Sequence, residues 1–340
     1  MRALVTGGGG FLGRTIVERL RAEGHAVRII ARGTYPEVEA LGVEVHSGDL
    51  ADADAARKAV EDVNVVFHVA AKTGVWGKRA DFVRSNVEAT SVLLRAMRDA
   101  GTPRLVFTSS PSVIFDGHDH VNATAEQLRY PASYMAHYPE TKAEAERLVL
   151  AANSPTLSTV CLRPHLIWGA RDPWLLPRVI ARHRVGRLRI VGDGTNLVSL
   201  SYVDNAAAAH LQAALALGPG APCAGRAFFV NDPEPVLLWP WINRVFKEVG
   251  LPELTAKVPY WLARSLGSVA EGVWTLLGRE DDPPMTRFVA AQLATSHTYD
   301  VRPAVGAFAY APVVGPEEGL ERMFAAWRSA RRQGQPAQKS

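Results

Sequence analysis

At 340 residues the chain exceeds the size at which one hydrophobic core stops growing, so a larger and a smaller domain are expected. Hydrophobic residues make up 47% and charged residues 21%, an ordinary globular composition, and a formal charge of +4 is too small to argue for nucleic acid as a partner. Two cysteines, Cys161 and Cys223, argue against a disulfide framework and fit a reducing cytoplasm; ten histidines beside them show no metal-ligand spacing, so no metal is expected.

The N-terminal "MRALVTGG" enters an apolar strand at once and lacks the pattern of a signal peptide. "FLGRTIVERLRAEG" then reads as an amphipathic helix with Gly24 as its C-terminal cap. "AVRIIA" and "VEVHSGDL" are the next strands, followed by a helix over "DADAARKAVED" and a buried strand in "VNVVFHVAA". A helix over roughly 80–100, the strand "PRLVFTSS", a helix at "YPETK" and the strand "LSTVCLRP" complete a regular alternation. Strands separated by helix-length segments predict βαβ units, right-handed crossovers and a doubly wound parallel sheet, an α/β Rossmann fold.

After Pro164 the pattern loosens. Residues 166–198 are rich in Pro, Arg and Trp, "YVDNAAAAHLQAAL" predicts a helix, and "RAFFVND" a late strand. The expected division is a nucleotide-binding domain of residues 1–165 and 199–232, a smaller mixed α/β substrate domain of 166–198 and 233–330, and a polar tail of 331–340. Within 258–278, Trp261, Leu262, Leu266, Val269, Val273, Trp274 and Leu277 recur at near-helical spacing. Arg264 and Glu271 interrupt the run, which does not read as a membrane span. Core packing of the smaller domain is the default reading; a lid over a long apolar substrate or peripheral contact with a membrane surface are the alternatives.

"LVTGGGGFLG" joins the first strand to the first helix. Gly7, Gly10 and Gly13 are spaced to allow a tight turn, close approach of a pyrophosphate, and close packing of helix on strand. The helix N-terminus then offers free N–H groups to phosphates. The acid that commonly receives the ribose 2′-hydroxyl after the second strand is absent: Ala31 stands there, followed by Arg32. A guanidinium suits a 2′-phosphate, so NADP(H) is expected, with NAD(H) still possible. Asp49 is a candidate for the adenine edge or, alternatively, a helix N-cap.

In "HYPETK", Tyr138 and Lys142 are one helical turn apart and share a face. Pro139 suits the first helical position, with Tyr138 at a non-helical entry. A lysine cation near a phenol favours the phenolate. Ser110, at the end of the strand in "FTSS", is placed to hydrogen-bond the carbonyl oxygen that Tyr138 protonates. With a hydride donor on the glycine loop, these residues make a ketone–alcohol redox site.

"TGGGGFLG", "GDL", "HVAA", "FTSSPSV", "YPETK", "LRPHLIWG" and "YVDN" together resemble the extended short-chain dehydrogenase/reductase family over most of the chain. The resemblance implies that Tyr138 is the general acid/base, that Lys142 orients the ribose and lowers the tyrosine pKa, and that Ser110, with Ser112 as competitor, polarises the carbonyl. It places cofactor contacts at Gly7, Gly10, Phe11, Leu12, Gly13, Arg32, Asp49, Leu50, Ala70, Ala71, Lys72, Thr108, Tyr138, Lys142 and Pro164. Substrate contacts are expected at Trp76, Ser112, His165 and Trp168. "PSVIFDG", "WGARDPWLLP" and "VGDGTNLVSLSYVDNAAAAH" are similar to two branches of the family. One is the 3β-hydroxysteroid and sterol-4-carboxylate dehydrogenases; the other, which "AKTGVWG" and "ARGTYPEVEALGV" resemble more, is the bacterial 2-alkyl-3-oxoalkanoate reductases. The expectation is an NADPH-dependent reductase of a bulky apolar 3-oxo acid, with the sterol dehydrogenase as alternative and a redox-sensing binding protein as a reading of another class. The basic stretch "RVIARHRVGRLRI" would hold the acid near Arg182 and Arg184, or form a solvated face. A homodimer is a further expectation.

Overall fold

The computed structural model describes residues 1–332; from residue 333 the expected polar tail lies outside the described residues. Seven parallel strands form the main sheet, in the spatial order Glu44–Ser47, Ala26–Ala31, Arg2–Thr6, Val65–His68, Arg104–Thr108, Ser158–Arg163 and Arg226–Phe229. Chain order reverses between Arg2–Thr6 and Val65–His68, which opens the crevice where doubly wound sheets bind ligands. Val65–His68 and Ser158–Arg163 are buried along their whole length. Strands covered on both faces carry continuous rather than alternating apolar runs, which is what the sequence contains.

Helices cover both faces. On one, Ile16, Val17 and Leu20 of helix Phe11–Ala22 pack with Ala206, Leu211 and Ala213 of helix Val203–Ala216. On the other, Val60, Leu93, Met97 and Val149 meet Leu105, Phe107 and Cys161. The first helix ends as its sequence requires. Gly24 has φ +78, its N–H reaches the Arg21 carbonyl, and the N–H of His25 reaches the Leu20 carbonyl. That pair of bonds satisfies two otherwise unpaired carbonyls.

Two helices differ from expectation in ways that bear on the site. The helix expected over 80–100 is interrupted: Arg79–Phe82 and Ala89–Asp99 are α-helical, but Val83–Glu88 is a π-helix. The catalytic-motif helix spans His137–Ala151, so Tyr138 is already helical and Pro139 is the third helical residue rather than the first. Proline is tolerated there because the N–H groups of the first turn have no partner within the helix.

A smaller four-stranded sheet has the order Val236–Leu237, Leu197–Val198, His297–Tyr299, His120–Ala123. Its first pair is antiparallel and the other two are parallel. Short ladders join Ile167–Trp168 to Ser201–Tyr202 and Ile190–Val191 to Lys257–Val258. A second core lies here, around Trp168, Trp239, Trp241, Ile242, Phe246 and Phe324.

Helix Tyr260–Leu276 reverses the expectation of core packing. Its buried residues are Ala263, Gly267 and Glu271, while Trp261, Leu266, Val269, Val273 and Leu277 are exposed. The reason is steric. The small face sits directly on Thr286 and Arg287, so close that a Cβ at Gly267 would lie 2.7 Å from the Thr286 carbonyl carbon. Among the described residues no helix is long and apolar enough to cross a membrane.

Candidate active site

A continuous cleft of about 1080 Å³ runs from the glycine loop past Ser110, Tyr138 and Lys142 to helix Leu175–Arg184 and residues 283–293. Every expected cofactor contact lines it: Gly7, Gly10, Phe11, Leu12, Gly13, Arg32, Asp49, Leu50, Ala70, Ala71, Lys72, Thr108, Tyr138, Lys142 and Pro164.

The loop has the shape that phosphates need. Gly7 has φ +69, and a Cβ there would lie 2.8 Å from the Ala70 nitrogen; a Cβ at Gly13 would run into the Gly7 carbonyl. Gly10 caps the helix without a side-chain bond, and the first turn carries no acid. The positive end of the helix therefore faces the cleft free of protein anions. The residues present fit a dinucleotide. Tyr35, which sequence reasoning did not single out, lies against Gly9 so closely that no larger residue fits there, and it lines the cleft. Arg32 is exposed at the end of its strand. Asp49 is not an N-cap; that role belongs to Asp52, which accepts from the N–H groups of Asp54 and Ala55. Asp49 instead accepts from the Ala51 N–H at 3.0 Å and from Arg84 at 2.9 Å. Its pKa is lowered by the Ala51 N–H and, despite some desolvation, by Arg84 and Arg32.

The wall opposite the loop is held by Asn86, on the π-helical turn. Its side chain accepts from the Lys72 N–H at 2.7 Å and donates to the Lys72 carbonyl and to the Thr141 hydroxyl. One side chain thus ties the segment after Ala70 and Ala71 to the catalytic helix. His68 behind it is buried, and burial brings its pKa down to about 3. The Thr90 hydroxyl donates to the Asn86 carbonyl and so accepts from His68 Nε2; Thr6 in turn donates to Nδ1 and accepts the Ala70 N–H.

Tyr138 is half-buried with its phenol in the cleft. Desolvation pushes its pKa up to about 12, partly offset by the Ser110 hydroxyl. Lys142 is 2% exposed, and its ammonium donates to the Thr108 carbonyl at 2.6 Å and lies 4.0 Å from the centre of the Phe107 ring. Burial lowers its pKa to about 7, against the pull of Glu146. The expected lowering of the tyrosine by the lysine is therefore not what this geometry produces: desolvation dominates both groups and moves each toward its neutral form. Ser110 caps the short helix Pro111–Ile114, its Oγ accepting from the Ser112 N–H at 3.2 Å. A hydroxyl that accepts one bond can still donate, and Ser110 stands close enough to the Tyr138 phenol to act on it. Ser112 is buried, and its hydroxyl, also at the cleft, has no partner among the described residues.

Two supporting groups, His210 and Glu146, escaped the sequence reading. Thr108 donates to His210 Nε2 at 2.8 Å, because the other ring nitrogen of His210 donates to the Ala206 carbonyl. Glu146, fully buried one turn beyond Lys142, accepts two bonds from Arg163, at 2.9 and 2.6 Å, and one from Tyr130 at 2.6 Å. Each lies in helix or strand interior, where neither spacing nor composition marks it.

Of the four expected substrate contacts, His165 and Ser112 line the cleft and the two tryptophans do not. Trp168 is 1% exposed, donates to Asp232 and packs on Tyr202 and Trp241, so it belongs to the second core. Trp76 donates to the Arg279 carbonyl at 2.9 Å and lines a separate cavity beside residues 131–137. His165 is fixed in one tautomer. His297 Nε2 lies 3.0 Å from the Gln292 carbonyl and must donate to it. His297 Nδ1 therefore accepts from His165 Nε2 at 2.9 Å, leaving His165 Nδ1 as a bare acceptor. Of the basic stretch, Arg178 and Arg182 line the cleft; Arg184 is exposed outside it.

Residues 4–259 match the 3-beta hydroxysteroid dehydrogenase/isomerase family. The chain is 45% identical over 326 residues to a 2-alkyl-3-oxoalkanoate reductase of Stenotrophomonas maltophilia, covering 96% of this chain and 99% of the relative. It is 33% identical over 339 residues to the decarboxylating sterol-4-alpha-carboxylate 3-dehydrogenase of Homo sapiens, covering 97% and 89%. Among solved structures, MoeE5 in complex with UDP-glucose and NAD superposes with a TM-score of 0.74 at 25% identity, over 97% of this chain and 100% of that one. With the family match extending over most of its length, the chain belongs to the 3-beta hydroxysteroid dehydrogenase/isomerase family, nicotinamide-dependent oxidoreductases acting on CH–OH groups.

Proposed function

We propose that this chain is an NADPH-dependent ketoreductase that converts the 3-oxo group of a bulky apolar acid, of the 2-alkyl-3-oxoalkanoate type, to a 3-hydroxyl. The observation that carries the reading is the placement of Ser110, Tyr138 and Lys142 in the same cleft as the glycine loop, in a chain 45% identical to a 2-alkyl-3-oxoalkanoate reductase. The bound cofactor supplies the hydride. Tyr138 gives its proton to the carbonyl oxygen, Ser110 donates a hydrogen bond to the same oxygen, and Lys142 holds the ribose. Gly7, Gly10 and Gly13 receive the pyrophosphate, and Pro164 backs the nicotinamide.

Preference for NADP(H) rests on Arg32. No carboxylate immediately follows the second strand, and two guanidinium groups, Arg32 and Arg84, stand near Asp49. In the proposed division of labour, residues 1–165 and 199–232 hold the cofactor, while 166–198 and 233–330 hold the substrate. Leu175, Leu188, Trp239, Ile242, Met285 and Phe288 give the cleft the apolar wall that long alkyl chains need. The exposed apolar side of helix Tyr260–Leu276, with the exposed Arg264 on it, supports peripheral contact with a membrane surface where such substrates reside.

The test is a series of 2-alkyl-3-oxo acids of increasing chain length with NADPH, set against 3β-hydroxysterols with both cofactors. Each buried methylene is worth about 0.8 kcal/mol, so kcat/KM should rise about fourfold per added carbon until the cleft is full. Equal turnover of short and long ketones would refute the substrate class. Reaction with sterols alone would put the sterol dehydrogenase in its place.

A further inference from the structure

The cleft holds a polar device that the reaction at the carbonyl does not use. Helix Leu175–Arg184 is preceded by Asp172, whose carboxylate accepts the N–H groups of Trp174, Leu175 and Leu176. The helix turns Leu175, Arg178, Val179 and Arg182 to the cleft, the spacing of a single helical face. Arg178 is ion-paired with Asp282, in the segment that continues into the cleft-lining Pro283, Pro284 and Met285. Arg182, one turn on, is half-buried beside Leu188, Trp239 and Ile242 and has no acid within ion-pairing distance among the described residues. Its pKa is lowered by desolvation and then by the neighbouring charge of Arg178, with Asp282 pulling the other way.

Neighbouring cations of the basic stretch behave differently. Arg184 and Arg187 are exposed, and Arg189 spends its donors on the carbonyls of Gly186 and Leu188. A guanidinium drawn out of water normally has a partner, because desolvating an unpaired charge is costly. Arg178 and Arg182 thus share one nearby carboxylate, Asp282, which is already paired with Arg178. Arginine's planar donors match carboxylate or phosphate oxygens in pairs.

We propose that Arg178 and Arg182 form the receptor for the anionic group of the substrate, and that Asp282 is a placeholder which the incoming anion displaces from Arg178. The proposal rests on the ketoreductase reading for the identity of the substrate. The anion is either the carboxylate of the free acid or a phosphate of an acyl thioester, which present the same oxygen chemistry to the two arginines. The Arg178–Asp282 pair is about one-third exposed on each side, and such pairs are worth little, so displacement costs little.

The experiment measures KM and kcat with NADPH for one long 2-alkyl-3-oxo acid, its methyl ester and its coenzyme A thioester, in the wild type, Arg182→Gln and Asp282→Asn. Arg182→Gln should raise KM for the anionic substrate at least about tenfold, the low end for a charge-assisted hydrogen bond, and lower its preference over the ester by a similar factor. Asp282→Asn should lower KM for the anionic substrate about two- to fivefold, since it removes the competitor and keeps the side-chain shape. Which of acid and thioester responds identifies the source of the anion. Equal losses for ester and anion in Arg182→Gln, or a raised KM in Asp282→Asn, would overturn the receptor. Should the wild type act only on 3β-hydroxysterols, the ketoreductase reading falls. The same variants compared on carboxylated and neutral sterols would then decide the receptor separately.

Discussion

Replacing Glu146 by Gln probes the buried carboxylate one turn beyond Lys142. The carboxylate is fully buried and accepts two bonds from Arg163, itself 3% exposed, and one from the Tyr130 hydroxyl. Glutamine keeps one acceptor oxygen but turns an NH₂ group toward Arg163 or Tyr130, both of which donate. A buried guanidinium left unpaired costs about 3–5 kcal/mol. With an unfolding entropy of about 2.1 cal/mol/K per residue, a chain of this length should lose about 4–7 °C of melting temperature. The pH dependence has a definite sign. Burial raises the Glu146 pKa, but Arg163 more than offsets this and the net direction is down. A depressed carboxylate stabilises the fold above its unfolded pKa, and that stability is lost as pH falls through the folded value. The gap between wild type and Glu146→Gln should therefore be full at neutral pH and shrink below about pH 4. Thermal melts across pH 3.5–8 measure it. The double variant Glu146→Leu with Arg163→Met removes both charges and should recover much of the loss. A melting temperature within 1 °C of wild type at pH 7, or a gap that widens on acidification, would refute the reasoning.

Tyr138→Phe keeps the ring and removes the transferable proton, so turnover should fall by about 10²–10⁴-fold while NADPH still binds by fluorescence titration; near-normal turnover would mean another group is the acid. Arg32→Ala should weaken NADPH by about 1.5–3 kcal/mol and NADH far less, read as dissociation constants for the two cofactors. Gly13→Ala should weaken both cofactors alike, because the added Cβ meets the Gly7 carbonyl and displaces the loop that serves both; a selective loss of one cofactor there would contradict that steric origin.

The main sheet could be read from the sequence because parallel strands buried on both faces write consecutive apolar residues, such as Val65, Val66 and Phe67 or Val160, Cys161 and Leu162. The glycine loop could be read because its constraints are local sterics. What escaped reading depends on partners distant in the chain. His120–Ala123 pairs with His297–Tyr299, and nothing near residue 120 announces it. Glu146 meets Arg163 across a helix–strand contact. Helix Tyr260–Leu276 misled for a physical reason: its large apolar residues have the spacing of a core stripe, yet the packed face is the small one, where close approach to Thr286 excludes bulk. Trp168 misled similarly, since an aromatic near a motif fills a core as readily as it lines a pocket, while Trp76 lines a different cavity.

The two titrating groups of the site set the protonation state from which the reaction begins. Lys142 is buried against the Thr108 carbonyl and the Phe107 ring, and desolvation brings its pKa down to about 7. Tyr138 is pushed to about 12, so it keeps its proton across the physiological range. Reduction of a ketone uses a phenol that arrives with its proton, and oxidation of an alcohol uses the phenolate; both pass through one transition state, so the surroundings set the protonation state from which each begins and not the direction of net reaction. The Ser110 hydroxyl stands at the cleft beside the phenol, where it can donate to the oxygen that gains negative charge as hydride arrives, and that contact serves the shared transition state either way.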